Sequence, residues 1–136
     1  MSYRLEKPKP LHLILGEIGE DLAANWLIKN GYRIWHRNRK SRYGYELDIV
    51  AFKDNKIHVV EVKTRTDNTF QEPYTALNDK KLHRVRIGAG IYKRYYKLDF
   101  DIVLDGITIL YHDKQHYELE FFPNLHEQLR TTRFYS

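Results

Sequence analysis

The sequence contains no cysteine and only one methionine among its 136 residues. Without a thiol, the chain can form no disulfide, no zinc–thiolate site and no cysteine nucleophile. Its longest early apolar stretch, Leu11 to Leu15, ends at Gly16 and Glu17, which is too short for a signal peptide or a membrane span. We therefore expect a cytoplasmic protein that has no membrane partner.

Several catalytic motifs are missing as well. The chain has no Walker loop, no GxGxxG and no GxSxG motif, and its seven histidines show neither HxH nor HExxH spacing. A serine or cysteine hydrolase and a histidine-based metal site therefore have no support in the sequence.

The chain does have charge and enough apolar residues for a core. Hydrophobic residues make up 42% of the sequence and charged residues 30%, which is typical of one soluble globular domain. We assign residues 1–10 to a flexible leader and residues 11–136 to a single domain. The net charge of +5 favours an anionic partner without identifying it.

The spacing of apolar residues predicts two helices. The first covers residues 11–30 and ends at Gly31, and the second begins at residue 78 or 79 and ends near residue 96. The predicted buried stripe of the first helix is Leu11, Leu15, Ile18, Leu22 and Trp26. That of the second helix is Leu82, Val85, Ala89, Tyr92 and Tyr96.

Short apolar runs between turn signals predict the strands. They cover residues 32–35, 46–52, 56–63, 100–104, 107–111 and 117–122. Asp54-Asn55 and Asp105-Gly106 are predicted hairpin turns. Residues 36–42 and 66–75 are interpreted as connections, and residues 125–130 as a short final helix. This order predicts an α/β fold with a central mixed sheet flanked by helices.

The hairpin of residues 46–65 carries the candidate site. With a two-residue turn, Asp48 faces Glu61, Glu46 faces Lys63, and all four side chains leave the same face at the same end. Like charges about 5 Å apart repel by roughly 3 kcal/mol at an effective dielectric near 20. A hairpin selected only for stability would avoid that repulsion, whereas a divalent cation converts the two carboxylates into a ligand pair.

The residue types in this hairpin indicate phosphoryl chemistry. Carboxylates prefer Mg²⁺ or Mn²⁺, which often bind one or two carboxylates together with substrate phosphate. Such an ion polarises a phosphoryl oxygen and lowers the pKa of a bound water. Lys63 would orient that water or stabilise the charge that builds on phosphorus. Glu61-x-Lys63 is a common pattern by itself and gains weight from Asp48 in register across the turn.

Basic residues lie close to the hairpin in sequence. A solvated polar loop is one interpretation of residues 36–42, and contact with phosphate groups is the other. The candidate nucleic-acid-binding residues are Arg37, Arg39, Lys40, Arg42, Arg65 and Lys81.

Four segments resemble the YraN-like bacterial family. They are Gly19-Glu20…Ala23, Gly31-Tyr32-x-Ile34…Arg37-Asn38, residues 46–51 (ELDIVA) and residues 60–65 (VEVKTR). Members of that family are predicted endonucleases related to archaeal Holliday-junction resolvases, within the PD-(D/E)xK nuclease superfamily. The resemblance implies a restriction-endonuclease-like fold.

The resemblance also implies roles for individual residues. Asp48, Glu61 and Lys63 would be the nuclease signature, and Glu20 would be an additional acid supplied by the first helix. Taken alone, Glu20 is typical of a helix surface. Glu46 fits the family's Glu-x-Asp pattern as an accessory candidate. One departure is Tyr45, which stands where the family usually has glycine.

We therefore expect a Mg²⁺- or Mn²⁺-dependent endonuclease that hydrolyses phosphodiester bonds in DNA, including structured or branched DNA. Its metal ligands would be Asp48, Glu61 and Glu20. Two alternatives stay open: a non-catalytic nucleic-acid-binding module on the same fold, and a structural or assembly protein whose charged hairpin end is only solvated. The intact Asp, Glu and Lys set argues against the first alternative. Assembly as a homodimer also stays open.

Overall fold

The computed structural model describes residues 7–66 and 79–125, which form two helices and five strands. In chain order these are α1 (Leu11–Lys29), β1 (Arg33–Lys40), β2 (Glu46–Lys53), β3 (Lys56–Arg65), α2 (Asp79–Tyr95), β4 (Asp101–Asp113) and β5 (His116–Phe122). The strands form one sheet in the order β1-β2-β3-β4-β5. Among the strands of the described residues, β3 and β4 are the one parallel pair of neighbours, and the other neighbours pair antiparallel. The predicted α/β class, with a mixed sheet flanked by helices as in restriction-endonuclease-like folds, is confirmed.

A helix covers each face of the sheet. The core beside α1 contains Ala23, Ala24, Leu27, Ile49, Ala51, Val60, Ile107 and Ile109. The core beside α2 contains Leu47, Val50, Ile57, Val59, Leu82, Val85, Ala89, Tyr92, Leu104 and Leu125. Strands β2, β3 and β4 are therefore buried from both sides, which explains their nearly continuous runs of Val, Ile and Leu.

The turn between β2 and β3 forms at Asp54 and Asn55, as predicted. Both residues have positive φ angles, 51° and 60°, which a two-residue type I′ turn requires and which Asp and Asn tolerate. Next to the turn, Phe52 pairs with Ile57. The predicted register of the hairpin is therefore confirmed on its turn side.

Asp105 and Gly106 do not form a hairpin turn, so that prediction is wrong. Both lie inside β4, which is 13 residues long and pairs with β3 through this segment. Asp105 is buried, its Oδ2 lies 2.7 Å from Nδ1 of His58, and its Oδ1 accepts the N–H of Asn124 at 2.8 Å. These partners satisfy a carboxylate that otherwise favours turns. The real turn joins β4 to β5 at residues 113–116.

Helix α1 has nearly the predicted bounds, but its most buried face is shifted from the predicted stripe, of which Leu22 and Trp26 pack partly buried against the core. Its buried residues are Gly19, Ala23, Ala24 and Leu27, whereas Leu11 is 79% exposed. Small residues let the helix approach the sheet closely, because a Cβ atom on Gly19 would overlap the side chain of Thr64 in β3. Gly31, with a φ of 88°, follows the helix as predicted.

Strand β1 is longer than predicted. The supposed connection of residues 36–42 continues the strand as far as Lys40, which pairs with Glu46 of β2. Polar residues are tolerated there because β1 is an edge strand, and along one of its two edges it has no neighbouring strand in the described part of the chain. The predicted edge strand at residues 117–122 is confirmed as β5.

Helix α2 is continuous and buries four of its five predicted stripe residues. Tyr96 follows the helix and is 36% exposed. Gly88 lies against Leu47 and Tyr45 of the hairpin, where an added Cβ atom would come within 3.2 Å of both side chains. The glycine thus allows α2 to approach the start of β2 closely.

Parts of the predicted leader, of the 66–75 connection and of the final helix lie outside the described residues. Neither α1 nor α2, the helices of the described ranges, combines the length and the apolar character needed to cross a bilayer.

Candidate active site

The candidate site lies where β2 and β3 stop pairing. Their regular ladder ends at Ile49↔Val60, so Asp48 and Glu61 lie one position beyond it. Oδ2 of Asp48 accepts the N–H of Val62 at 2.9 Å. The carboxylate of Asp48 therefore reaches from β2 to the backbone of β3 and occupies the opening between the two strands.

In β1 and β2, the regular alternation of side chains between the two faces of the sheet breaks at the level of Asp48. Arg37 forms an ion pair with Asp21 of α1 at 2.6 Å, whereas Arg39 lies over an aromatic ring of α2, 5.4 Å from its centroid. In β2, Ile49 packs beside α1 and Leu47 packs beside α2. A regular strand keeps residues i and i+2 on one face, so the alternation is broken in both strands.

Asn38 occupies the point of this change in β1. Its φ angle of 52° is left-handed, a conformation that asparagine adopts more readily than most residues. Its side chain acts on Glu20 of α1 and lowers the pKa of that carboxyl. Asn38 was not among the predicted site residues, although an asparagine inside a strand is itself a signal of local irregularity.

Glu61 is a buried carboxyl with an incomplete set of partners. It is 5% exposed, and its Oε1 has no hydrogen-bond partner in the described part of the chain. Burial, followed by the charge and side chain of Asp48, raises the pKa of Glu61 well above its usual value, against the opposing charge of Lys81. A buried carboxyl oxygen without a donor is costly, and a cation beside Asp48 would remove that cost.

The pKa of Glu20 is also raised, in part by the same charge of Asp48. Burial is the largest cause that raises the pKa of Glu20, and the charges of Asp48 and Glu46 add to it, while the side chain of Asn38 and the charge of Arg37 lower it. Asp48 therefore acts on the pKa of both Glu20 and Glu61. Because its charge raises both pKa values, Asp48 couples the titration of Glu20 to that of Glu61.

A cavity of about 220 Å³ opens beside the two carboxylates. Its lining residues are Gly44, Tyr45, Glu46, Asp48, Glu61, Lys81, Arg84 and Val85. Acidic groups of the hairpin and basic groups of α2 thus meet at one opening. Such an arrangement suits a phosphate group that is bridged to carboxylates by a metal ion and contacted directly by cations. Arg84 was not predicted, because its neighbours in sequence give no indication that it reaches the hairpin.

Lys63 and Glu46 are both exposed, but of the two only Glu46 is among the residues that line the cavity. Lys63 is exposed and pairs in register with Thr108 of β4, on the same side of β3 as Glu61. Glu46 is also exposed, but the β2–β3 ladder ends before it, so the predicted pairing of Glu46 with Lys63 is not formed. Glu46 pairs instead with Lys40 of β1.

The donor set fits a hard divalent cation in part. Within residues 7–66 and 79–125, no group of three or more His, Asp or Glu side chains is arranged to hold a metal ion. The structure therefore does not assemble Glu20 with Asp48 and Glu61 into the expected three-ligand set. Asp48 and Glu61 remain as an adjacent pair, and one or two carboxylates completed by water and phosphate oxygens are sufficient for Mg²⁺.

The predicted basic residues divide between different surroundings. Arg39, Lys40 and Arg42 line a second cavity against α2, and Lys81 lines the carboxylate cavity. Arg37 is turned toward α1 by its ion pair. Arg65 is half-buried at the end of β3. The basic residues expected to form one surface therefore do not all lie together, because Arg37 faces α1 whereas Arg39, Lys40, Arg42 and Lys81 line cavities beside α2.

Comparison with known proteins gives matches over most of the chain. A family model described as "Uncharacterised protein family UPF0102" matches residues 19–104. A UPF0102 protein from Bacteroides fragilis is 39% identical over 99 residues, which cover 73% of this chain and 81% of that protein. One from Syntrophomonas wolfei is 42% identical over 100 residues, covering 73% and 86%. One from Phocaeicola vulgatus is 38% identical over 116 residues, covering 82% and 95%.

Proposed function

The chain belongs to the UPF0102 family, and we propose that it is a metal-dependent endonuclease that hydrolyses phosphodiester bonds in DNA. The observation that carries the proposal is the pair formed by Asp48 and the buried Glu61, whose Oε1 has no hydrogen-bond partner among the described residues. A carboxylate kept only for stability would have donors around it. A divalent cation shared with Asp48 supplies what Glu61 lacks.

The proposal gives a task to the carboxylates and cations that line the cavity and to Lys63, two residues along β3 from Glu61. Asp48 and Glu61 would hold Mg²⁺ or Mn²⁺, which when bound polarises a phosphoryl oxygen and acidifies a water. Lys63 orients the attacking water or stabilises the negative charge that develops at phosphorus. Lys81 and Arg84 lie across the cavity from the carboxylates and contact the remaining phosphate oxygens.

The reaction is a hydrolysis at phosphorus. The oxygen of water forms a bond to phosphorus, one P–O ester bond breaks, and the leaving oxygen takes up a proton. The products are a strand that ends in a phosphate and a strand that ends in a hydroxyl group. The net charge of +5 and the basic residues beside both cavities favour a polyanionic substrate.

Cleavage assays test the proposal directly. Single-stranded, duplex, flapped and four-way-junction DNA are incubated with nuclease-free protein in Mg²⁺, Mn²⁺ or chelator. We expect cleavage that requires the cation and is lost in Asp48→Asn and Glu61→Gln. Lys63→Met should lose roughly 100-fold or more in rate, a typical cost for removing such a group, while it still binds DNA.

Lys56→Met is the matched control for Lys63→Met. Lys56 lies on the same strand but at the turn end, where it pairs with Lys53, so this variant should cleave at the parent rate. Cleavage that survives chelation, or a near-normal rate for Lys63→Met, would contradict the proposal. Binding without cleavage on all four DNAs would favour the non-catalytic nucleic-acid-binding module.

A further inference from the structure

A second cavity lies between the start of β2 and helix α2. Its volume is about 590 Å³, within the size range of binding sites for small organic molecules. Tyrosines and basic residues dominate its wall, and no acidic residue is among the described residues that line it. The residues on which the argument depends are Arg39, Arg42, Tyr45, Arg94, Tyr95 and Tyr96.

The aromatic side of this cavity is held in place from behind. Tyr96 stacks on His36 with ring centroids 5.2 Å apart, and the hydroxyl of Tyr92 lies 2.6 Å from Nδ1 of His36. Burial raises the pKa of Tyr92 to about 12, and its hydroxyl shares a short hydrogen bond with the ring of His36. An aromatic ring supported in this way is a preorganised surface for stacking.

Cations are placed over the same rings. The change of sides at Asn38 directs Arg39 to the α2 side, where its guanidinium lies 5.4 Å from the ring centroid of Tyr95 and 5.5 Å from that of Tyr96. Tyr95 is nevertheless 70% exposed. A tyrosine that is largely exposed contributes little to the core, and its free ring surface is available to a ligand.

We infer that this cavity binds an unpaired nucleotide, with its base stacked on the exposed ring of Tyr95 and its phosphate on the surrounding arginines. Aromatic side chains interleaved with cations are the usual means of binding single-stranded nucleic acid. A wall without acidic residues favours a ligand that carries phosphate. Bases inside an intact duplex are already stacked and cannot enter, so the nucleotide must be unpaired or displaced from its helix.

The position of the cavity links this inference to the carboxylate pair. Tyr45 lines both cavities, so a strand whose base occupies the larger one carries a neighbouring phosphate toward Asp48 and Glu61. The inference rests on the proposed function in taking DNA as the partner. It adds the substrate class: DNA with an unpaired nucleotide next to the phosphate that is cleaved.

Binding measured without cleavage tests the inference. Fluorescence anisotropy in chelator compares a blunt duplex with the same duplex extended by a short single-stranded overhang. The parent should bind the overhang DNA about tenfold or more tightly, since stacking one base on an aromatic ring has an effect of this size. Tyr95→Ala should lose most of that preference, and Tyr95→Phe should retain it because the ring remains.

Tyr117→Ala is the control, because Tyr117 is 41% exposed and lies on β5 at the opposite edge of the sheet. It should keep the parent's preference. Equal affinity of the parent for the two DNAs, or an unchanged preference in Tyr95→Ala, would overturn the inference. Free deoxyadenosine monophosphate that displaced the overhang DNA at equal concentration would overturn the assignment to a DNA strand.

The two proposals fail separately in these experiments. A preference for the overhang that depends on Tyr95 stands even if the protein cleaves no DNA, because chelator removes cleavage from the measurement. Cation-dependent cleavage without such a preference would overturn the nucleotide site and leave the endonuclease proposal intact.

Discussion

At the scale of single residues, the buried Glu61 predicts that the stability of the protein depends on pH. In the unfolded chain a glutamate has a pKa of about 4.3, whereas burial and Asp48 raise the pKa of Glu61 in the folded state. Between these two pKa values the folded state binds more protons than the unfolded state. Its free energy of unfolding therefore falls as the pH rises through that interval.

Glu61→Gln should remove this loss of stability. Each pH unit between the two pKa values lowers the free energy of unfolding by about 1.4 kcal/mol at most, and glutamine does not ionise. In chelator, urea unfolding from pH 4.5 upward should show a parent that weakens with pH and a variant whose free energy of unfolding stays more nearly constant.

Glu118→Gln is the control for this comparison, because Glu118 is exposed on β5 and should keep the parent's dependence on pH. If Glu61→Gln weakened as steeply as the parent, the strained buried carboxyl would not be the cause.

At the scale of elements, the site depends on how closely α1 approaches β3. Gly19 lies against Thr64, and an added Cβ atom would overlap Oγ1 of Thr64 and lie 2.8 Å from its Cβ. Threonine is branched at Cβ, so rotation about χ1 does not remove the conflict. The next residue in α1 is Glu20, and its position near Asn38 and Asp48 therefore depends on this contact.

Gly19→Ala should destabilise the protein by about 1–3 kcal/mol, the usual cost of overpacking a core. Gly16→Ala is the matched control, because an added Cβ atom at Gly16 meets no atom within 4 Å. Alanine there should be neutral or stabilising by up to about 1 kcal/mol through its helix propensity. Chemical denaturation of both variants measures the difference, and equal stabilities would show that the Gly19 contact does not hold α1 in place.

The local sequence pattern predicted where helices and strands lie better than it predicted which of their faces are buried. The hairpin turn at Asp54-Asn55 is formed by the residues that favour it, so the sequence was sufficient. Asp105-Gly106 has the same local signal, but pairing with β3 and the bonds of Asp105 to His58 and Asn124 override it. These partners lie 47 and 19 residues away in sequence, and no local pattern contains them.

The candidate site likewise has residues that the sequence could suggest and features that only the folded chain shows. Asp48, Glu61 and Lys63 could be chosen from the sequence, because their residue types and strand positions identify them. The left-handed Asn38, the change of sides in β1 and the contribution of Arg84 result from packing against two helices. The predicted stripe of α1 was right only in part, because Leu22 and Trp26 pack against the core but the small residues beside them are the most buried and allow close packing on the sheet.

At the scale of the whole molecule, the basic residues of β1 and α2 lie beside both cavities. Arg39, Lys40 and Arg42 line the larger cavity, and Lys81 and Arg84 line the smaller one. If these groups contact phosphates, DNA binding releases counterions and weakens with salt.

Neutralising Arg39, Lys40 and Arg42 together to glutamine should weaken DNA binding and reduce its dependence on salt. For duplex DNA, the slope of log affinity against log salt should fall by roughly 0.9 for each phosphate that the variant no longer neutralises. Titrations between low and moderate salt measure that slope. The control neutralises Lys56 and Lys114, which are exposed at turns and should leave the slope unchanged. An unchanged slope in the triple variant would exclude this surface.

The measurement that tests the metal site most directly is the thermal stability of the parent and of Asp48→Asn, with chelator and with several millimolar Mg²⁺ or Mn²⁺. Asparagine can still accept the N–H of Val62, but it removes the repulsion with Glu61. In chelator we expect Asp48→Asn to be at least as stable as the parent. With the cation the order should reverse, because only the parent gains stability from a bound ion, by about 1.4 kcal/mol at ten times Kd. A parent that is not stabilised by the cation, or an Asp48→Asn variant destabilised equally with and without it, would contradict the assignment of Asp48 and Glu61 as metal ligands.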